Sequence, residues 1–248
     1  MANFEHLALL QAGAIAHTGD SLRAIAWNEW RKQNPQIEPD LRDADLNGAN
    51  LHTANLMKAN LSGANFSVAN LSGAKLTQAD LSHAILIGAD LSEANLKSAF
   101  LTEANLIGTD LKAANLRDAD LGHAKLTRAN LCFANLVAAN LIGADLSKAN
   151  LYEAEVIGAY LYKTDLYKAN LSQAHLSGAY LLRANLSEAD LSKADLRWTN
   201  LQGANLAGAN LRGAKLEGAK LRGANLSGVD FQDVPNLLFG HDLKREHS

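Results

Sequence analysis

The sequence predicts an all-β solenoid, a short unit repeated and coiled around a core of Leu and Ala. Three observations carry that expectation. From Leu41 to Phe231 an apolar centre recurs at every fifth position, 39 times without insertion or deletion, and all are Leu except Phe66, Val156 and Phe231. Two residues before each centre, from Ala44 onward, 34 of 38 positions are Ala, the others being Thr109, Thr164, Thr199 and Val229. Fourteen of the 18 Gly fall at one phase, two residues after a centre.

A period of five excludes the two regular alternatives. On a helix each step of five moves the Leu by about 140°, so no apolar stripe forms. On a flat strand an odd period would send successive Leu to opposite faces. Ala and the following Leu are two apart, however, so a short extended piece points both the same way. The remaining positions are outward and mostly polar, which suits a bend. Each unit is then one short side and one corner, and the chain must coil. Gly clustered at a single phase marks that corner, because Gly accepts the positive φ of a tight turn. Other residues fill the same phase, so the corner does not demand Gly.

Runs such as Ala49-Asn50-Leu51, Ala144-Asp145-Leu146-Ser147 and Ala189-Asp190-Leu191-Ser192 resemble the pentapeptide-repeat family. The resemblance covers about three quarters of the chain. It implies a right-handed quadrilateral β-helix with four units per coil, a sidedness that the sequence shows by no clear 20-residue period of its own. Four units per coil would make 39 units nearly ten coils. At about 4.8 Å per coil the rod would be about 45 Å long.

The expected organisation is an N-terminal helical cap over residues 1–40, the β-helix over 41–233, and a C-terminal cap and tail over 234–248. In the first segment Phe4, Leu7, Leu10 and Ile15 suit an amphipathic helix, interrupted near Thr18-Gly19. Asp20 or Ser21 can cap a second helix carrying Leu22, Ile25, Trp27 and Trp30, stopped by Asn34-Pro35. An open solenoid end exposes unpaired backbone and Leu, which such a lid would cover. The stretch Trp27-Asn28-Glu29-Trp30-Arg31 resembles the lead-in of many cyanobacterial pentapeptide-repeat proteins. Beyond Val234-Pro235, Leu237, Leu238 and Phe239 are expected to fold over the last coil or to form a weak dimer contact, leaving the protein monomeric or weakly dimeric through its C-terminal end.

Composition bounds the setting. No stretch is long and apolar enough to span a membrane. Leu7 to Ala16 resembles a short signal core, but no Lys or Arg precedes it and Glu5 does, so a cytoplasmic protein is expected. The single Cys132 cannot form an internal disulfide. Between 41 and 231 there are 18 acidic and 18 basic residues, a net of zero. Some relatives modulate DNA gyrase by imitating DNA, and that is the alternative function here. A neutral rod is a poor copy of a duplex carrying a charge per about 1.7 Å, and no basic stripe suggests nucleic-acid binding.

Catalysis finds no support in the motifs. There is no Gly-rich phosphate loop, no nucleophile with a plausible base, and every outward residue sits on a convex rod. No cofactor is expected. His83, Glu103 and His123 are 20 apart and would share a column, but a straight ladder puts the two His about 10 Å from each other, so a metal site is not expected. The better surface candidate is aromatic. All five Tyr fall in little more than one coil, and Phe100, Tyr152, Tyr160, Tyr162, Tyr167, Tyr180 and Leu182 form the candidate patch for an unidentified protein partner. The sequence thus reads as a non-enzymatic interaction scaffold, with a regulatory role as one form of it. Inside the rod, Leu141→Arg would place a charge in a core of Leu and Ala. It is expected to unfold the array locally or wholly, and an unchanged thermal melt would refute the coil.

Overall fold

A computed structural model describes residues 3–11 and 21–235. Each unit starts at its Leu, turns through two residues, and ends in a short extended pair. Ala54 N–H donates to Leu51 O at 2.9 Å, and equivalent bonds close a β-turn at the other corners. The third residue of every turn has positive φ, 25 non-glycine residues and 14 glycines, so that none of the 39 corners is exempt. The second residue is never among them, which is the pattern of a type II turn. Gly therefore marks the bend correctly yet supplies a minority of corners. The left-handed region costs other residues about 1–2 kcal/mol each, a strain held in place by the surrounding ladder.

The residue before each centre pairs in parallel with its counterpart 20 residues on, from Asp40 with Asn60 through to Asn210 with Asp230. Four units therefore make one coil. We number the sides by these outward residues: face I carries 40, 60, 80 and so on to 220, face II starts at 45, face III at 50 and face IV at 55.

One unit shows how the backbone is satisfied. Leu61 N–H donates to Asp80 O at 2.7 Å, Gly63 to Ser82 O at 2.9 Å, and Asn65 back to Ala44 O at 2.9 Å. Ala64 N–H closes the turn on Leu61 O at 3.0 Å. The fifth, Ser62 N–H, donates to the side-chain Oδ1 of Asn60 at 3.2 Å. All five donors are used, as buried or half-buried backbone requires. Asn and Asp recur before the centre for that reason: their side chain caps the amide two residues on, an Asx turn. Their second polar atom also links coils, as in Asn130 Nδ2 to Asp110 Oδ1 at 2.9 Å and Asn170 Nδ2 to Asn150 Oδ1 at 3.0 Å.

As far as Ala214 the interior is filled by Leu and Ala with almost no solvent contact, and from Leu216 to Val234 the inward residues are half-buried. Thr109, Thr164 and Thr199 occupy Ala slots, and each hydroxyl donates at 2.7 Å to a backbone oxygen, of Leu86, Leu141 and Leu196 respectively. Helices α1 (Phe4–Gln11) and α2 (Ser21–Gln33) precede the coils. The side chains of α2 meet backbone groups of the first coil that no earlier coil can reach. Trp27, fully buried, donates Nε1–H to Asn55 O at 2.9 Å. Asn28 donates to Thr53 O at 3.1 Å and accepts from Asn55 N–H at 2.7 Å. Arg31 donates to Met57 O at 3.0 Å and also to Ile37 O. Burial pulls the Arg31 guanidinium below its usual range, opposed by the charge of Glu38. The helix ends just before Asn34-Pro35 as expected. Ile15, Thr18-Gly19, Asp20 and Leu237 to Phe239 lie outside the described residues, as do the side chains of Phe4, Leu22 and Ile25.

Val68 is a β-branched residue at a corner, with φ 50°, and is 66 % exposed. Val68→Gly is expected to raise stability by about 1 kcal/mol, read as a higher denaturation midpoint; a lower one would show that the corner strain is already relieved.

Candidate protein-interaction face

Because four units make a coil, residues share a column only when they differ by multiples of 20. The residue after each centre lies beside the one before it on the same face, as the bond from Ser62 Oγ to Asn60 Oδ1 at 2.8 Å shows. Face I therefore gathers two columns. One holds Phe100, Tyr160 and Tyr180, about half-exposed at 51, 47 and 49 %. The other holds Ile142, Tyr162 and Leu182. The Tyr160 and Tyr180 rings stack with centroids 5.2 Å apart and planes within 5°. Phe100 stands three coils from Tyr160 on the same face.

Tyr152 and Tyr167 do not belong to this group, which corrects the single seven-residue patch expected from the sequence. Tyr152 lies on face III, packed edge-on against Phe133 with centroids 5.6 Å apart, and its hydroxyl accepts from Gln173 Nε2 at 3.0 Å. Tyr167 lies on face II, donates to Glu188 Oε1 at 3.2 Å and carries Lys168 Nζ 5.0 Å from its ring centre. Proximity along the chain grouped these two Tyr with the others, but a step of five or ten residues leads to another side. Sequence reasoning also missed Trp198. It occupies the corner entering face I in the coil next to Tyr180 and is 65 % exposed. A Cβ on Gly218 would come within 2.3 Å of its indole, so the ring lies directly on that glycine. The signal was present in the numbering, since Trp198 is two residues before Asn200, the column neighbour of Tyr180.

The aromatic residues break the local rule of the fold. Phe100, Tyr160 and Tyr180 stand where Asn or Asp usually caps the amide two residues on, and a phenyl or phenol ring cannot accept that bond in the same way. Above them, Glu38, Lys58, Asn60, Gln78, Asp80 and Phe100 line a shallow depression of about 350 Å³. His83 Nδ1 lies 3.5 Å from Glu103 Oε2 at the next corner. The His123 ring leans the other way, over Gly143, so these three side chains do not converge. No group of three His, Cys, Asp or Glu among the described residues is placed to hold a metal. Cys132 is half-buried, and burial pushes its thiol up.

The model of the pentapeptide-repeat family matches in successive stretches from residue 40 to residue 233. The chain is a pentapeptide-repeat protein. Among solved structures it is similar to HetL, a pentapeptide-repeat protein involved in heterocyst differentiation regulation from the cyanobacterium Nostoc sp. strain PCC 7120. The two share 38 % identity over 82 % of this chain and 93 % of that one, with a TM-score of 0.73. It is also similar to a trypsin-treated QnrB1, a plasmid-mediated fluoroquinolone resistance protein, at 21 % identity over 73 % of this chain and 86 % of that one, with a TM-score of 0.51. That second likeness concerns the fold alone. No curated protein matches. Family and neighbours together make the four-sided coil of this pentapeptide-repeat protein a right-handed quadrilateral β-helix. No described helix is long and apolar enough to cross a membrane.

If the Tyr160–Tyr180 stack is an interaction beyond simple area burial, a double-mutant cycle with Tyr160→Ala and Tyr180→Ala should give a coupling of about 0.5–1.5 kcal/mol in unfolding free energy. Additive losses would show that the rings do not support each other.

Proposed function

We propose that this pentapeptide-repeat protein is a non-enzymatic scaffold that docks a protein partner on face I, centred on Tyr160, Tyr180 and Trp198. The observation that carries the reading is the placement of the exposed rings of Phe100, Tyr160 and Tyr180 at bridge positions, where the fold itself favours Asn or Asp. Local rules are broken at functional sites more readily than elsewhere. Tyr and Trp bring large contact area at low entropic cost and dominate the energetics of protein interfaces. A regulatory role fits the likeness to HetL, and a cytoplasmic setting fits a chain with a lone, half-buried Cys. In this reading α2 serves as the cap of the first coil and residues 41–233 are the presenting surface.

A gyrase modulator acting as a DNA mimic is the less favoured alternative. The repeats hold 18 acidic and 18 basic residues, so the rod lacks the uniform negative surface that mimicry needs. Capture from native lysate tests the main reading, comparing the wild type with a Tyr160→Ala, Tyr180→Ala, Trp198→Ala variant and with a Tyr152→Ala, Tyr167→Ala control on the other faces. Retention of a protein by wild type and control, and its loss from the face I variant, is the expected result. Equal retention by all three would move the site off face I. Altered supercoiling by gyrase in the presence of the purified protein would revive the alternative.

A further inference from the structure

Net neutrality hides a segregation of charge along face I. On its two columns and the corner that follows, the N-terminal half carries Asp40, Asp43, Asp80, Glu103 and Asp120 against Arg42 alone. The same columns from Asn140 to Gly223 carry Lys163, Arg183, Lys220 and Arg222 and no acid. The preceding corner adds Glu38, Asp118 and Lys58 to the acidic half and no charge to the basic half. The aromatic cluster lies within the basic half, and the depression beside Phe100 lies within the acidic half.

We propose that face I binds a second copy of this chain, the two rods lying face to face and antiparallel about a two-fold axis that crosses between Asp120 and Asn140. The inference rests on the reading of face I as a docking surface and names its occupant. A face with one acidic and one basic half is complementary to itself only when one copy is reversed, and that is the requirement of an isologous contact. The register that the axis sets is chemically consistent. Lys163 stands opposite the partner's Glu103, and Lys220 opposite the partner's Asp40. Tyr160 meets the partner's Phe100, and Trp198 meets the partner's Lys58, a cation over an exposed indole. Tyr180 falls opposite the partner's Asp80, in the middle of the depression, where its hydroxyl can donate to the carboxylate. Arg222 meets the partner's Arg42, the one like-charge pair of the register, and Asp40, bonded to Arg42 at 2.9 and 2.8 Å, offsets it only in part because it also faces Lys220.

Other occupants fit less well. An acidic partner would match only the basic half and a basic one only the acidic half. Nucleic acid would be repelled by the acidic half, and the rings of Tyr160 and Tyr180 already use their facing surfaces on each other. The face is about 40 Å long and about 15 Å across its corners, so it offers about 600 Å² per copy. That is at the lower edge of specific interfaces and makes the dimer weak and sensitive to salt.

Sedimentation velocity of the full chain over a range of concentrations at low and high salt tests this. A monomer–dimer equilibrium weakened by salt is expected. Glu103→Lys and Lys163→Glu should each weaken it by about tenfold or more, since each sets like charges opposite one another twice in the dimer. The combined variant, with the charges exchanged, should return to near wild-type association. Both are exposed corner residues at similar positive φ, and unchanged thermal melts would show that the variants remain folded. A monomer at every concentration, a dimer indifferent to both single variants, or no recovery in the exchange would each overturn the antiparallel dimer. Loss of a captured protein from the Tyr160, Tyr180 and Trp198 variant alongside a monomeric wild type would overturn it while leaving face I a docking surface for another protein.

Discussion

Everything in this rod depends on the backbone satisfying all five amides of a unit while turning a corner. Three of the five bond to adjacent coils, one closes the turn, and one is left facing outward. A neighbouring coil does not reach that last donor, and where Asn or Asp precedes the centre its side chain does. Asn and Asp have the right length to fold back onto it, which is why they dominate the position before each centre. The corner itself demands positive φ, and the chain accepts it at Lys, Glu, His and even Val. Such strain persists because the bonds above and below leave the residue no other place to go.

The same economy frees the surface. Leu and Ala fill the interior as far as Ala214, and the backbone is held by itself and by Asx side chains. Outward positions can then vary with little effect on the fold, and those that abandon Asn or Asp become informative. Phe100, Tyr160 and Tyr180 do so on one face. Lys75, Glu155, His175 and Lys215 do so on face IV and Ile85 and Lys125 on face II, where no Phe, Tyr or Trp ring is exposed at a bridge position, and Glu155 with His175 forms an exposed pair at 2.8 Å that offers only a solvated contact. Exposed apolar rings carry more interfacial energy than a screened ion pair, and this contrast is what singles out face I.

Charge teaches a related lesson. A sum of zero over the repeats argues well against imitation of DNA, which needs one sign everywhere. It says nothing about a single side, because acids and bases can be sorted along a column without changing the total. On face I the acids lie in the first coils and most of the bases in the last, and Tyr160, Tyr180 and Trp198 sit with the bases while Phe100 sits with the acids.

The sequence by itself determined the unit, the coil and the core. Strict five-residue recurrence of Leu and Ala admits no helix or flat sheet, and Gly at one phase located the corner before any coordinates. A second helix carrying Trp27 and Trp30 and stopping at Asn34-Pro35 was legible too, because helix termination is a local property. The resemblance implied columns 20 residues apart, and with them Phe100, Tyr160 and Tyr180 in one line; what only the tertiary structure decided is the pairing that makes those columns real and which side each outward residue occupies. The 20-residue coil comes from backbone pairing, and the outward residues vary too freely to print that period in the composition. Hence Tyr152 and Tyr167, close to Tyr160 in the chain, stand on other sides, whereas Phe100 and Trp198 join its face from a distance. Four-fold winding converts sequence separation into direction, and a surface site exists only after that conversion.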